Sequence, residues 1–309
     1  MNILITGGAG YIGTVLITKL IGEGHNIKCL DRRANEVPAL LNLTQDQLDQ
    51  FTPVPDDVRD ATCVKAALKS IDCVVHLASV VGYPACDADP DEAHSTNIDG
   101  TRRLVELIPT GLPLVYLSTC SIYGRILDTV CRETSVVRPL TIYGKTKAIA
   151  ETIVRDAGGV ALRPVTAFGR SSRVRPDLLA HTLARAGLAK TRLKIFEPDA
   201  IRPFIHVTDL AEAIRFALQH AIIMQGNAYN VGSDEGTLTK LQLVQRIAAL
   251  TDLTFEIDDT TADPDNRSYY VSFERIEKLG FKTRLPFQHA LEDTVNWLRS
   301  VAAEQAVTV

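Results

Sequence analysis

Short apolar runs alternate with amphipathic segments through the first half of the chain. Residues 2–6 form the first run, glycines crowd residues 7–13, and apolar residues then recur at helical spacing from Val15 to Ile21. Further apolar runs follow at 26–30, 51–54 and 73–77. Nearly continuous apolar runs are typical of strands that are buried on both faces of a parallel sheet. The order of strand, turn and helix therefore predicts an α/β fold with a doubly wound parallel sheet.

The pattern becomes less regular from Gly169 onward. Helical periodicity predicts helices over residues 177–189, 208–220 and 238–250, and an acidic, turn-rich stretch follows at 258–266. No internal repeat or low-complexity tract interrupts the chain. We therefore divide it into a first part, residues 1–168, and a smaller α/β part, residues 169–309, some of whose elements return to the main sheet.

The glycines at the first turn predict a dinucleotide site. Gly7, Gly10 and Gly13 permit a tight turn and let backbone amides approach a pyrophosphate at the positive end of the following helix. The second strand ends at Asp31, where a carboxylate would accept the adenosine ribose hydroxyls and repel the 2′-phosphate of NADP. This favours NAD, although Arg32 and Arg33 follow directly and leave NADP as the alternative.

Two further strand ends extend this site. Asp57 follows the third run, where it could accept from the adenine amino group or, equally, cap the helix expected over 61–68. The fourth run ends in the small residues Ala78 and Ser79, as expected where a cofactor lies against backbone. We interpret His76, within that run, as a structural histidine.

Tyr143 and Lys147 stand four residues apart, which places the phenol and the ammonium on one face of a helix. A neighbouring ammonium and a nicotinamide cation both favour the phenolate and lower its pKa toward neutrality. The pair indicates redox chemistry on an alcohol. On its own, such a pair is most often a surface feature.

These motifs together resemble the extended short-chain dehydrogenase/reductase family, in its nucleotide-sugar epimerase and dehydratase branch. The resemblance covers nearly the whole chain. The matching segments are residues 7–13, 57–60, 76–78, 97–101, 118–124, 143–147, 162–164, 202–209 and 229–232.

The resemblance implies a Rossmann-type fold, in which residues 1–168 bind NAD and carry the catalytic groups while residues 169–309 bind substrate. It implies that Thr119 hydrogen-bonds the sugar hydroxyl, that Tyr143 takes its proton, and that Lys147 binds the nicotinamide ribose. The residues expected at the cofactor are Gly7, Gly10, Tyr11, Ile12, Gly13, Asp31, Arg32, Asp57, Val58, Leu77, Ala78, Ser79, Asn97, Tyr143, Lys147 and Arg163. Those expected at the substrate are Val81, Tyr83, Thr119, Thr166, Arg173, Arg202 and Arg267, of which Arg202 and Arg267 resemble diphosphate ligands.

The chain departs from the family pattern after Thr119. The 4,6-dehydratases of the family have Asp and Glu there, whereas this chain has Cys120 and Ser121. A 4-epimerase is therefore favoured, with a dehydratase or C4 oxidase as the alternative. Cys120 is either an acid–base group with a lowered pKa or a small buried side chain. Thr166 replaces an asparagine that holds the diphosphate in many relatives.

A non-catalytic NAD(H) sensor is the third interpretation. The intact trio of Thr119, Tyr143 and Lys147 argues against it, because a sensor has no need of a polarised acid–base pair.

Composition and charge limit the classes of partner and the compartment that we expect for the protein. The 309 residues are 46% hydrophobic with a net charge of −4, which offers no general attraction to nucleic acid. No apolar stretch predicts a membrane span, and the opening strand leaves no room for a signal peptide. Six scattered cysteines indicate neither a metal site nor disulfides, and so favour the cytoplasm. By resemblance, helices around residues 92–108 and 143–156 would pair in a homodimer.

Overall fold

The computed structural model describes residues 1–124, 130–258 and 268–307. The predicted diphosphate ligand Arg267 and nearly all of the acidic stretch at 258–266 lie outside these residues.

A seven-stranded parallel sheet forms the centre of the described molecule, in the order β11-β7-β5-β4-β1-β2-β3. This order confirms the predicted doubly wound α/β fold. The strands, in chain order, are β1 (Asn2–Thr6), β2 (Asn26–Leu30), β3 (Phe51–Val54), β4 (Cys73–His76), β5 (Leu114–Leu117), β6 (Val130–Cys131), β7 (Val160–Pro164), β8 (Thr166–Phe168), β9 (Arg192–Phe196), β10 (Ile201–His206), β11 (Ala228–Val231), β12 (Thr237–Thr239), β13 (Thr254–Asp258) and β14 (Tyr270–Val271).

The helices begin and end close to the predicted residues. Side-chain caps explain some of the starts: Thr141 Oγ1 accepts from the amide of Gly144 at 3.1 Å where the helix with the Tyr143–Lys147 pair begins. A π-helical turn, Ser95–Gly100, joins two of the helices. The helices are α1 (Tyr11–Gly22), α2 (Val37–Leu41), α3 (Gln45–Leu48), α4 (Ala61–Ala67), α5 (Tyr83–Ala88), α6 (Pro90–His94), α7 (Thr101–Leu107), α8 (Ile142–Asp156), α9 (Leu179–Leu188), α10 (Val207–Gln219), α11 (Ala221–Met224), α12 (Lys240–Ala248), α13 (Glu274–Glu277) and α14 (Phe287–Val307).

Alternate side chains of β1 explain the three-layer arrangement. Ile3 and Ile5 pack into a core with α1 and α10, whereas Leu4 packs into the core on the other face of the sheet, with α4, α7 and α8. A strand that is covered on both faces has no polar face, so the middle of the first run, residues 3–5, is apolar on both sides.

The later part of the chain builds a smaller layer and also returns to the main sheet. Strands β10 and β12 form a three-stranded sheet with β8, which ends at Phe168, and a separate core lies among α9, α12 and α14. Strand β11 pairs with β7, and α10 packs against α1. Elements after residue 168 therefore return to the main sheet, while the division at residue 168 stays a prediction. Among the described residues, no helix is long and apolar enough to cross a membrane.

Candidate functional site

A cavity of about 1160 Å³ opens along the carboxyl ends of the central strands. The strand order reverses beside β1, and such a reversal is where open α/β sheets bind ligands. The glycine-rich turn lies at one end of the cavity, and residues from β8, β10 and the start of α9 line the other. The cavity is therefore lined by residues from both sides of residue 168.

Two positions of the glycine-rich turn, Gly7 and Gly13, leave no room for a side chain. A Cβ on Gly7, whose φ is +72°, would lie 2.5 Å from the amide nitrogen of Ala78. A Cβ on Gly13 would lie 2.5 Å from the carbonyl oxygen of Gly8. No side chain caps the start of α1 at Gly10, so its first amides can receive an anion. The backbone thus forms a cradle of the kind that a dinucleotide pyrophosphate requires.

Asp31 lies at the end of β2 and lines the cavity. Its carboxylate accepts from the amides of Ala9 at 3.1 Å and Arg33 at 2.9 Å. Arg32 forms an ion pair with Glu92 at 3.2 Å. A fixed carboxylate beside an arginine whose charge is already offset favours a free ribose hydroxyl over a 2′-phosphate.

Asp57 lines the cavity beside Asp31, but its carboxylate is already engaged. Both of its oxygens accept from the Arg59 guanidinium, at 2.9 and 2.7 Å, and this hydrogen bonding lowers the pKa of Asp57. The alternative role as a helix cap is wrong, because Asp60 accepts from the amide of Cys63 at the start of α4. Arg59 also binds Glu92 at 2.6 Å, which fixes the loop after β3 against α6.

His76 is structural, as expected. Its ring binds Thr6 Oγ1 at 2.6 Å and Thr101 Oγ1 at 2.9 Å. Burial lowers its pKa to about 3, so the ring is neutral.

Asn97 does not line the cavity, contrary to the prediction that it contacts the cofactor. It lies in the π-helical turn, where its Oδ1 accepts from the amide of Val80 at 2.7 Å. Its Nδ2 donates to Thr146 Oγ1 at 3.0 Å. Asn97 therefore holds the loop after β4 against the helix that carries Tyr143 and Lys147.

Thr119, Tyr143 and Lys147 all line the middle of the cavity. Tyr143 lies in the first turn of α8, and Lys147 lies one turn later with 3% of its surface exposed. Burial lowers the pKa of the Lys147 ammonium to about 7, against the opposing effect of Glu151. Thr119 Oγ1 accepts from the amide of Ser121 at 3.1 Å and donates to its hydroxyl at 3.0 Å. The predicted trio thus shares one wall.

Cys120 points away from this wall, so its predicted catalytic role is wrong. The side chain is fully buried in the core, and its thiol donates to the carbonyl of Arg163 at 3.0 Å. Burial raises its pKa well above the usual value. The other interpretation, a small buried side chain, is confirmed. The next residue, Ser121, lines the cavity instead.

Arg163 also lies in the core and not at the cofactor site, which corrects the prediction. It is 2% exposed, and its guanidinium donates to Glu151 at 2.6 Å and to the Tyr123 hydroxyl at 2.7 Å. The side chain projects from β7 toward α8, where the buried Glu151 requires a counter-charge.

The predicted substrate residues divide between the two ends of the cavity. Val81, Tyr83, Thr166 and Arg202 line it at the substrate end. Arg173 instead contacts the glycine-rich turn: its Nε donates to the carbonyl of Ala9 at 3.2 Å, and its guanidinium binds Glu36 at 2.6 Å. This places Arg173 at the cofactor end, which corrects its assignment.

The charged residues of the cavity lining that sequence reasoning did not assign include Arg175 and Asp177. These two form a two-point ion pair, with distances of 2.7 and 2.6 Å. The only signal was the basic loop over residues 171–176.

The other predicted cofactor residues that line the cavity are Gly7, Gly10, Tyr11, Ile12, Gly13, Arg32, Val58, Leu77, Ala78 and Ser79. Among the described residues, no cluster of His, Cys, Asp or Glu side chains could hold a metal ion.

Comparison with known proteins gives a consistent set of similarities. The model of the NAD dependent epimerase/dehydratase family matches residues 3–232. A UDP-glucose 4-epimerase of Erwinia amylovora is 27% identical, over 96% of this chain and 97% of the relative. A UDP-glucose 4-epimerase of Bacillus subtilis is 29% identical, over 76% of this chain and 78% of the relative.

Solved structures extend the similarity to the fold. MoeE5 in complex with UDP-glucose and NAD superposes with a TM-score of 0.82 at 25% identity, covering 98% of this chain and 100% of that chain. The UDP-glucuronic acid 4-epimerase of Bacillus cereus gives a TM-score of 0.84 at 23% identity, covering 97% of this chain and 100% of that chain. At 23% identity, that second structure supports the fold alone.

Proposed function

Because this chain belongs to the NAD-dependent epimerase/dehydratase family, we propose that it is an NAD-dependent nucleotide-sugar 4-epimerase. The match to the family model over residues 3–232 confirms the predicted family and the predicted cofactor, NAD. The observation that carries the proposed reaction is the shared wall of Thr119, Tyr143 and Lys147 in a cavity that begins at the glycine-rich cradle. The residues after Thr119 favour an epimerase over a dehydratase, because Cys120 is buried and Ser121 is a weak acid.

The chain's own residues account for the proton transfers. NAD, when bound, supplies a reversible hydride acceptor for the sugar C4. Tyr143 removes the proton of the C4 hydroxyl and returns it after the 4-keto sugar has turned over. Thr119 orients that hydroxyl, and the charge of Lys147 favours the phenolate form of Tyr143. The two directions of proton transfer need only one acid–base group, which is what the wall provides.

The substrate end of the cavity suits a nucleotide diphosphate. Arg202 lies on β10 and is mostly buried. A guanidinium group can donate two parallel hydrogen bonds to the oxygens of a phosphate. Thr166 and Tyr83 lie on the walls that would meet the sugar. Since relatives over the full length act on UDP-glucose, we propose a UDP-hexose as the substrate.

We further propose a cytoplasmic homodimer in carbohydrate biosynthesis. The six cysteines are free, which suits a reducing compartment. Ile149 on α8 is 46% exposed, on the helix that would pair across the dimer axis. Light scattering would find a mass near twice that of the chain, and Ile149→Glu would lower it toward the monomer.

The reaction is tested by incubating the NAD-loaded protein with UDP-, GDP-, dTDP- and CDP-hexoses in deuterated water. We expect a UDP-sugar product of unchanged mass, inverted at C4 and without deuterium at carbon, by mass spectrometry and proton NMR. Loss of water would identify a dehydratase, and loss of two hydrogens with accumulating NADH would identify an oxidase. Either result would overturn the proposed epimerase.

A further inference from the structure

The ammonium of Lys147 lies over an aromatic ring of β5. Its Nζ lies 4.1 Å from the centroid of the Tyr116 ring, which projects from β5 and is 1% exposed. A cation over the face of a ring is attracted by the negative potential there, and the attraction is largest where water is excluded. Both residues are buried, so this contact has the geometry and the surroundings in which the attraction counts.

Among the described residues, no carboxylate forms an ion pair with the Lys147 ammonium in place of the ring. Glu151, one turn beyond Lys147, is bound to Arg163 at 2.6 Å and to the Ser118 hydroxyl at 2.7 Å. No ion pair joins Glu151 to Lys147 in the part of the chain that the structure describes. Among the described residues, the other titratable groups near Lys147 are Tyr143, one turn earlier on its own helix, Cys86 from α5 and the neutral His76 from β4.

The hydroxyl of Tyr116 does not explain the residue. Among the described residues it has no hydrogen-bond partner, although it is fully buried. Burial raises the pKa of this phenol well above 10, which excludes it from proton transfer. The part of the side chain in contact with the site is therefore the ring face.

We propose that Tyr116 is a positioning residue whose ring holds the Lys147 ammonium at the cofactor ribose. This inference rests on the proposed function, because that function assigns Lys147 to the ribose of NAD. Tyr116 does not line the cavity, so its ring meets the site only through Lys147.

The test measures how fast NADH displaces bound NAD from the full chain, followed by NADH fluorescence. Tyr116→Leu, or Tyr116→Met if the first variant fails to fold, should release NAD about tenfold faster. A factor of about ten corresponds to the free energy of a desolvated cation–ring contact. Tyr116→Phe keeps the ring and should stay within about twofold of the parent. Val115→Ala, on the same strand but in the core on the opposite face, controls for general loosening of β5.

A double-variant cycle separates positioning from simple packing. In a Lys147→Met background, Tyr116→Leu should change the displacement rate by less than about twofold. The displacement rate should also rise with pH. When Lys147 is present, loss of the ring should shift this rise to a pH about one unit lower, because the ring favours the charged ammonium.

Three results would overturn the proposal. They are an unchanged rate in Tyr116→Leu, an equal acceleration in Tyr116→Phe, and a full effect of Tyr116→Leu in the Lys147→Met background. None of these measurements uses a sugar. A chain that failed to epimerise any nucleotide sugar would therefore refute the proposed reaction and leave the Tyr116 result intact.

Discussion

At the scale of single residues, the chemistry is concentrated on one wall. In the proposed reaction, Tyr143 takes and returns the proton, while Lys147 contributes charge and Thr119 a hydrogen bond; all three line the cavity. The neighbouring Cys120 does not share this surface: Thr119 lines the cavity, whereas Cys120, the next residue, is buried in the core.

Replacing Tyr143 by Phe should reduce kcat at least about 100-fold, because the general acid–base group is lost while the ring remains. The displacement of NAD by NADH should still be measurable, since the cradle at Gly7 is untouched. Tyr270→Phe, at a half-exposed surface position, is the matched control and should keep full turnover. Retention of turnover by Tyr143→Phe would remove this residue from the mechanism.

At the scale of elements, a buried ion pair joins α8 to β7. Glu151 and Arg163 are each almost fully buried, and their two charges compensate each other between the helix and the strand. Breaking one side of such a pair is far more costly than removing both sides, because an unpaired charge is left in the core.

Glu151→Gln should therefore lower the free energy of unfolding by about 3 kcal/mol in urea titrations. Asp156→Asn, at the exposed end of the same helix, should change it by less than about 0.5 kcal/mol. Equal losses in the two variants would show that the buried pair adds no more to stability than a surface charge.

A second charged contact joins α1 to α10 and should make stability depend on pH. Glu212 binds Lys19 at 2.7 Å and Arg215, and hydrogen bonding to Arg215 and then Lys19 lowers its pKa from 4.5 to about 2. A depressed carboxyl pKa stabilises the fold above pH 4.5, and this contribution disappears as the pH falls from 4.5 toward 2.

Glu212→Gln should lower the free energy of unfolding by about 1–2 kcal/mol at pH 7, since the partners are partly exposed. The difference from the parent should shrink between pH 5 and pH 3. Glu274→Gln removes a more exposed carboxylate with a similarly lowered pKa and should have the smaller effect. A difference for Glu212→Gln that is independent of pH would contradict the assignment.

At the scale of the whole molecule, one glycine connects the cofactor end to the later part of the chain. The carbonyl of Gly169 accepts from the Tyr11 hydroxyl at 2.8 Å, and its amide donates to His181 at 3.0 Å. Its φ is +115°, and a Cβ there would lie 2.2 Å from the His206 ring. Position 169 thus requires a residue without a side chain.

Gly169→Ala should lower the free energy of unfolding by at least about 2 kcal/mol and accelerate the release of NAD, because Tyr11 lines the cofactor site. Gly280→Ala is the control: its φ is +101°, but a Cβ there meets no atom within 4 Å. It isolates the backbone strain, which costs about 1 kcal/mol. Equal losses in the two variants would show that the contact with His206 is unimportant.

Much of the fold and part of the site follow from local sequence. The apolar runs, the glycine-rich turn, Asp31 at a strand end and the helical spacing of Tyr143 and Lys147 each depend on a few neighbouring residues. Side-chain size, backbone freedom and helical or strand period decide such features before any distant contact forms.

Only the tertiary structure decided which side chains face the cavity. Cys120 and Ser121 are adjacent, yet one enters the core and the other the site. Arg163 forms an ion pair with Glu151. Arg173 donates a hydrogen bond to Ala9 in the glycine-rich turn, more than 150 residues earlier in the chain. The direction of a side chain at the end of an element is set by packing against segments far away in sequence. No local pattern records that packing, so these roles could be assigned only once the elements were assembled.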